Sequence, residues 1–250
     1  MSRQKTRTER ILSILEQKHV INLRDIAALL GCSLSTARRD LAALAPLGQV
    51  QLTRGGAVWR GHLGGRPSST GLTLTGEKQR IGRAAAELIR DGDAVAIGGG
   101  TTACALIRAL RGRHVSVVTN ALDVALEALP LSGPRVVLLA GELLATREIV
   151  GPLAEETLAR LHIDTVFMSV NGISTEHGAT VMSHLDARVL QAMAAAARRI
   201  VVLADHTKIG HAALTNIVPT SAIHTLITDA AEPVPSLAAI RAAGVQVIEA

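Results

Sequence analysis

The sequence predicts an α/β fold in two parts: a small helical head carrying a β-hairpin, then a Rossmann-like domain of βα repeats with a mostly parallel sheet. Three observations lead there. The stretch Leu34-Ser35-Thr36-Ala37-Arg38-Arg39-Asp40-Leu41 opens with helix-capping hydroxyls and follows a short amphipathic segment ending in Gly31. From Asp93 onward, short apolar runs alternate with Ala- and Leu-rich stretches of helical period. Between the two lies a Gly-, Ser- and Pro-rich segment, residues 61–71, that cannot bury much apolar surface. The expected division is a head over 1–60, a flexible linker over 61–74 and a larger domain over 75–250.

Composition narrows the class. The chain has 250 residues, 48% of them apolar and 19% charged, which suits globular folding rather than disorder. It holds one Trp, one Phe and no Tyr, so Ala, Leu, Val and Ile must build the core. The net charge of +5 is uneven. Residues 1–60 carry ten Lys/Arg against four Asp/Glu, and the remainder sixteen against seventeen. A basic head suits a phosphate backbone. Cys32 and Cys104 have neither a zinc-site nor a disulfide-framework spacing. No apolar run approaches membrane-spanning length, and the basic N-terminus lacks an apolar secretory segment, so a cytoplasmic location is expected.

Within the head, Ile11, Leu12, Ile14 and Leu15 predict a first helix between Thr8 and Lys18. Asn22 is placed to cap a second, with Ile26, Ala27, Leu29 and Leu30 inward and Gly31 at its end. Ser33 or Ser35 caps a third, whose buried stripe is Ala37, Leu41 and Leu44 and which stops at Pro46 and Gly48. Ser35, Thr36, Arg38, Arg39 and Ala42 turn away from that stripe, while Asp40 is expected to pair with an arginine of its own chain. Val50–Thr53 and Ala57–Trp59 then alternate like strands around Arg54-Gly55-Gly56. This is the layout of a winged helix-turn-helix, whose third helix enters a DNA major groove. Short hydroxyls reach phosphates or base edges, and arginine bonds guanine bidentately. Ser33, Ser35, Thr36, Arg38, Arg39 and Arg54 are therefore the candidate DNA contacts.

In the larger domain, a helix is expected from Thr75 through Ile81, Ala85 and Ile89. Apolar runs at residues 94–97, 115–118, 136–139, 165–168, 200–203 and 225–227 predict buried strands. Ligands of such sheets gather at the carboxyl ends of the strands. There the sequence places Gly98-Gly99-Gly100-Thr101-Thr102, Thr119-Asn120, Gly141-Glu142, Asn171-Gly172 and Asp205-His206-Thr207-Lys208. Gly99 and Gly100 let backbone N–H groups approach an anion, and Thr101 and Thr102 add hydroxyl donors at a helix N-terminus. Lys208 adds a cation. The loop has neither the lysine of a P-loop nor a clean GxGxxG spacing.

These residues resemble the DeoR/GlpR family of bacterial transcription regulators. In the head the match lies in Arg10-Ile11-Leu12, Ile26-Ala27, Ser33, Thr36, Arg38-Arg39-Asp40-Leu41 and Gly55-Gly56-Ala57. Farther on it lies in Gly100-Thr101-Thr102, Thr119-Asn120, Gly141, Gly151, Asp186-Ala187 and Asp205-x-x-Lys208. The chain departs from the family pattern at Ala37, Gly98, Ala140 and Asp186, where a β-branched residue, an acid, a glycine and a glutamate are usual. The resemblance implies a sensor domain similar to ribose-5-phosphate isomerase. It implies a repressor of a carbohydrate or polyol operon that a phosphorylated sugar or polyol releases from its double-stranded operator. Gly99, Gly100, Thr101, Thr102, Thr119, Asn120, Gly141, Asn171, Asp186, Asp205 and Lys208 would hold that effector, and His206, His177 and His184 are further polar candidates.

Family and symmetry imply a homodimer or homotetramer. No cofactor, metal or catalytic residue is expected. Two alternatives fit the same architecture. One is a redox sensor binding a nicotinamide dinucleotide, which needs an acidic residue about twenty positions past the phosphate loop, near Asn120 and Asp123. The other is a regulator fused to a sugar-phosphate isomerase, which needs a placed carboxylate base that Ser169-Val170-Asn171-Gly172 does not supply.

Overall fold

Asn22 starts a helix because its side chain does what a missing turn cannot. Its Oδ1 accepts the N–H of Asp25 at 2.9 Å, and helix α1 (Leu23–Leu30) runs from there to Gly31 in the left-handed region. Ser33 caps the next helix, α2 (Leu34–Leu44), by accepting the N–H of Thr36 at 3.2 Å. Strands β1 (Val20–Asn22), β2 (Val50–Thr53) and β3 (Gly56–Trp59) form an antiparallel sheet in the order β1-β3-β2. The sequence reading anticipated the β2–β3 hairpin but not β1, since three residues are too few to display a period. Ile11, Ile26, Ala27, Ala37, Leu41, Leu44 and Ala57 make this unit's core. Each fully buried Leu or Ile there stabilises it by about 1.5–3 kcal/mol.

The computed structural model describes residues 10–11, 20–44, 50–53, 56–59, 76–230 and 234–250. Most of the expected first helix, the expected stop of the third at Pro46 and Gly48, the hairpin tip with Arg54, and the linker lie outside the described residues. The chain separates into two compact units, Met1–Thr70 and Gly71–Ala250.

The second unit is built on seven parallel strands. In chain order they are β4 (Ala94–Ile97), β5 (Ser116–Thr119), β6 (Arg135–Leu138), β9 (Ile163–Ser169), β12 (Ala197–Leu203), β14 (Thr225–Thr228) and β15 (Gln246–Glu249). Their order in the sheet is β15-β14-β12-β9-β4-β5-β6. Both faces are covered. Val95, Ile97, Phe167 and Val201 point to one side, where helices α3 (Gly76–Glu87), α4 (Thr101–Ala109) and α5 (Leu122–Ala128) pack. Ala96, Val166, Met168 and Val202 point to the other, against α6 (Pro152–Leu158), α7 (His184–Ala196) and α8 (Pro235–Ala242). Coverage on both sides explains why the inner strands carry unbroken apolar runs.

Two expectations are corrected by burial. Leu29, expected to face inward on α1, is 48% exposed, because the buried side of that helix is centred on Ile26 and Ala27. The run at 136–139 predicts a buried strand, yet Val137 and Leu138 are 37% and 40% exposed, because β6 is an edge strand paired only with β5. Smaller antiparallel pieces also escaped the sequence pattern. Strands β7 (Glu142–Leu143) and β8 (Ile149–Val150) form a two-stranded hairpin. Strands β10 (Gly172–Ser174), β11 (Gly178–Val181) and β13 (Thr215–Val218) form a three-stranded sheet.

Candidate functional site

The exposed side of α2 is made by its period. With Ala37, Asp40, Leu41 and Leu44 buried, Ser35, Arg38, Arg39 and Ala42 fall on the solvent side. At its N-terminus Ser33 Oγ lies 2.9 Å from Ser35 Oγ and 2.8 Å from Thr36 Oγ1. This hydroxyl cluster holds the first turn and presents polar atoms beside the two arginines. Ser33, Ser35, Thr36, Arg38 and Arg39 thus share one end of one helix.

In the second unit the chain leaves β4 for β5 on one side and later returns to β9 on the other. That reversal opens a crevice at the carboxyl ends of β4 and β9, the usual ligand position in an open parallel sheet. The loop after β4 lines it. Gly98 N–H donates to Phe167 O at 3.0 Å, which fixes the loop to β9. Gly100 stands at φ +108°, where a side chain would be strained, and an added Cβ would sit 3.1 Å from that of Ser169. Helix α4 begins at Thr101, and Cys104 N–H makes an early helical bond to Gly100 O. The N–H groups ahead of it have no acceptor within the helix, and Gly100 offers no capping side chain. Thr101 is half-buried and Thr102 buried. The result is a cluster of backbone donors at the positive end of a helix, which favours an anion.

The flanking candidates divide into two kinds. Thr119 is fully buried, donates to Ile97 O at 2.6 Å and accepts from Ala121 N at 3.1 Å, so its hydroxyl holds the β4 and β5 ends together. Asn171 Oδ1 accepts the N–H of Met182 at 3.1 Å, which ties the turn after β9 to the end of β11. Gly141 is required by close approach, since a Cβ would meet Val150 O at 2.3 Å. Asp205 caps a short 3₁₀ turn, His206–Lys208, by accepting from Thr207 N at 3.0 Å and from its hydroxyl. These four are engaged in holding strand ends and turns together. Lys208 is half-buried at that turn, beyond β12. His206 is tied to the end of β14: Asp229 accepts its N–H at 2.7 Å and lies 2.9 Å from its Nδ1. His177 lies 3.7 Å from its neighbour Glu176 and His184 is exposed.

Asn120 is the hinge of the arrangement. It is fully buried, and its amide donates to Ile149 O at 3.3 Å and to Asp186 Oδ1 at 3.0 Å, while its Oδ1 has no partner among the described residues. Burial pushes the Asp186 carboxyl above the ordinary carboxylate range, and the Asn120 hydrogen bond only partly offsets it. A carboxyl with a raised folded pKa binds its proton more tightly folded than unfolded. Stability should therefore rise as pH falls from the folded pKa towards the ordinary carboxylate value, and the penalty is present above it. Asp186→Asn should remove that dependence and be no less stable at neutral pH. Urea unfolding at a series of pH values checks this, and an unchanged pH slope in the variant would assign the effect elsewhere.

A profile described as the DeoR-like helix-turn-helix domain matches residues 7–60, and one described as the DeoR C terminal sensor domain matches residues 74–230. The chain belongs to the DeoR family of transcription regulators. Among its relatives, the HTH-type transcriptional repressor GlcR of Bacillus subtilis is 35% identical over 90% of this chain and 88% of its own length. The glycerol-3-phosphate regulon repressor of Escherichia coli is 28% identical over 93% of each chain. A solved ribose 5-phosphate isomerase A from Methanocaldococcus jannaschii overlaps 52% of each chain at 18% identity, with a TM-score of 0.39. No helix among the described residues is long and apolar enough to cross a membrane.

Sequence reasoning missed three residues that this DeoR-family chain places at the crevice. Ser169, the last residue of β9, has a buried Oγ without a partner among the described residues. Glu148 lies against Gly99, its Oε1 being 2.6 Å from where a Cβ there would stand. Arg147 is the one non-glycine residue among the described residues with positive φ, at +71°. That conformation costs a side-chain-bearing residue about 1 kcal/mol or more. The turn Leu144-Ala145-Thr146-Arg147 contains no Gly, Pro or Asn, so nothing local announced it.

Proposed function

We propose that this chain represses a carbohydrate or polyol catabolic operon and leaves its operator when a phosphorylated sugar or polyol binds at the carboxyl edge of the parallel sheet. The observation that carries the reading is the Gly98–Thr102 loop, which sets unpaired backbone donors at the N-terminus of α4 in the switch-point crevice. A phosphate ester fits that environment. Lys208 supplies the cation from β12, two strands away from β4. A relative named for a glycerol-3-phosphate regulon supports an ester of this kind.

Catalysis has less support. An isomerase needs a carboxylate at the reacting carbons. The β9 end offers Ser169, Val170 and Asn171 instead, and Asp205 is engaged in its own turn. We read the crevice as a binding site that senses rather than transforms, in a cytoplasmic homodimer or homotetramer. The coupling follows from linkage: an effector that prefers the DNA-incompetent state weakens DNA binding by the factor by which DNA weakens effector binding.

Lys208→Ala separates the two functions. Operator affinity should stay at the wild-type value, and the effector concentration that releases DNA should rise at least about tenfold, as expected for the loss of a charged hydrogen bond worth about 1.5–3 kcal/mol. Fluorescence anisotropy of a labelled operator titrated with sugar phosphates measures both. Release at an unchanged concentration would count against the pocket.

A further inference from the structure

The hairpin β7–β8 carries a cation that the reading above does not use. Arg147 sits in its turn, in a backbone conformation that disfavours side chains. Its side chain is 19% exposed, and its Nε lies 3.2 Å from the carboxylate of Asp123, whose side chain is 5% exposed. Its ion pair with Asp123 is made through Nε, which leaves the two terminal nitrogens of the fork beyond that contact. A planar group with five N–H donors is thus anchored at Nε by one acid, on a side chain that is mostly buried.

Its position links it to the crevice. Leu122 N–H donates to Arg147 O at 2.9 Å, and Ile149 N–H donates to Asn120 O at 2.7 Å, so the turn is strapped to the carboxyl end of β5. The next residue, Glu148, lies against Gly99 of the loop after β4. Asn120, with its unpartnered Oδ1, stands beneath the same strap and bonds Ile149 O. The strap that runs beside the backbone anion cradle thus carries the guanidinium of Arg147 and the carboxylate of Glu148, with the amide of Asn120 bonded to it. Such a mixture of fixed donors and acceptors recognises hydroxyl groups, each of which both donates and accepts. A phosphate alone would call for donors only.

We propose that Arg147, held by Asp123, is a specificity-determining residue that binds the hydroxyls of the effector's carbon chain. This rests on the reading of the crevice as a phosphate-ester site. It orients the ligand: the phosphate lies at the N-terminus of α4 and the hydroxylated chain extends towards β5 and the β7–β8 hairpin.

The test uses the full chain and its Arg147→Gly and Arg147→Lys variants. Glycine suits the backbone at φ +71°, and lysine keeps the charge but not the planar fork. Calorimetry would compare inorganic phosphate, glycerol 3-phosphate, ribose 5-phosphate, fructose 6-phosphate and sorbitol 6-phosphate. For the best-bound ester, Arg147→Gly should weaken binding at least about tenfold and Arg147→Lys by a similar factor, while both bind inorganic phosphate as the wild type does. Equal losses for the esters and inorganic phosphate would make Arg147 a phosphate ligand and overturn the proposal, as would unchanged ester binding. A wild-type chain silent towards every compound would overturn the phosphate-ester reading itself. Should glycine unfold the hairpin, seen as a lowered melting temperature, the lysine variant decides by the same criteria.

Discussion

Phe167→Ala should destabilise the second unit by about 3–5 kcal/mol, the range for truncating a buried aromatic side chain. Phe167 is the sole phenylalanine of the chain and is fully buried at the middle of β9. It pairs in register with Ile97 of β4 and Val201 of β12, whose side chains share its face, so the cavity would open between these three central strands and the helices that cover that face. Relaxation is restricted there, because parallel strands covered on both faces cannot move towards solvent. Its carbonyl also accepts the Gly98 N–H, so loss of order at this point would reach the anion loop. The melting temperature of the second unit should fall by roughly 10 °C for a domain of this size. Phe167→Leu, which keeps most of the volume, should lose much less. Thermal and urea unfolding of both variants measure this. A loss below about 1 kcal/mol for alanine would mean that the core collapses into the gap and that Phe167 does not organise the sheet.

Arg38→Ala should weaken operator binding by about 1–3 kcal/mol, equivalent to roughly 5- to 150-fold, if the side chain reads a base. The expectation follows from the helix itself. Arg38 and Arg39 follow buried Ala37 and precede buried Asp40 and Leu41, which leaves both arginines exposed on α2. Ser33, Ser35 and Thr36 bond one another and brace the N-terminal turn. Anisotropy at fixed salt, with an operator fragment and a random duplex in parallel, tells base reading from phosphate contact. A base reader loses affinity for the operator and little for random duplex. A phosphate contact loses both to a similar extent and lowers the salt slope by about one. Unchanged binding to both duplexes would remove Arg38 from the interface.

Between these two tests the molecule shows where sequence reasoning has force. The stripe Ala37, Leu41 and Leu44, the cap at Asn22 and the turn at Gly31 were all legible, and the next cap was narrowed to Ser33 or Ser35. Each depends on contacts within about one helical turn, so residue order alone encodes them. The inner strands of the parallel sheet were legible too, because strands covered on both faces must be apolar; the edge strand β15, Gln-Val-Ile-Glu, was not. The loop Gly98–Thr102 stood out for its glycines.

What lay outside the sequence pattern depends on neighbours far along the chain. Nothing in the run at 136–139 tells that β6 has a partner on one side only, because edge position is decided by which strand comes to lie beside it. Thr119 and Ser169 look alike in sequence as hydroxyls at strand ends. In the fold Thr119 is spent on Ile97 O and Ala121 N, while the Ser169 hydroxyl is left without a partner among the described residues. Arg147 and Asp123 stand 24 positions apart and meet only because a two-stranded hairpin bends back over β5. Local propensity and period determined the elements and the candidate loops of this chain. Which polar groups are satisfied and which are left facing the crevice was decided by tertiary packing, because hydrogen bonds and ion pairs depend on distances that chain connectivity does not set.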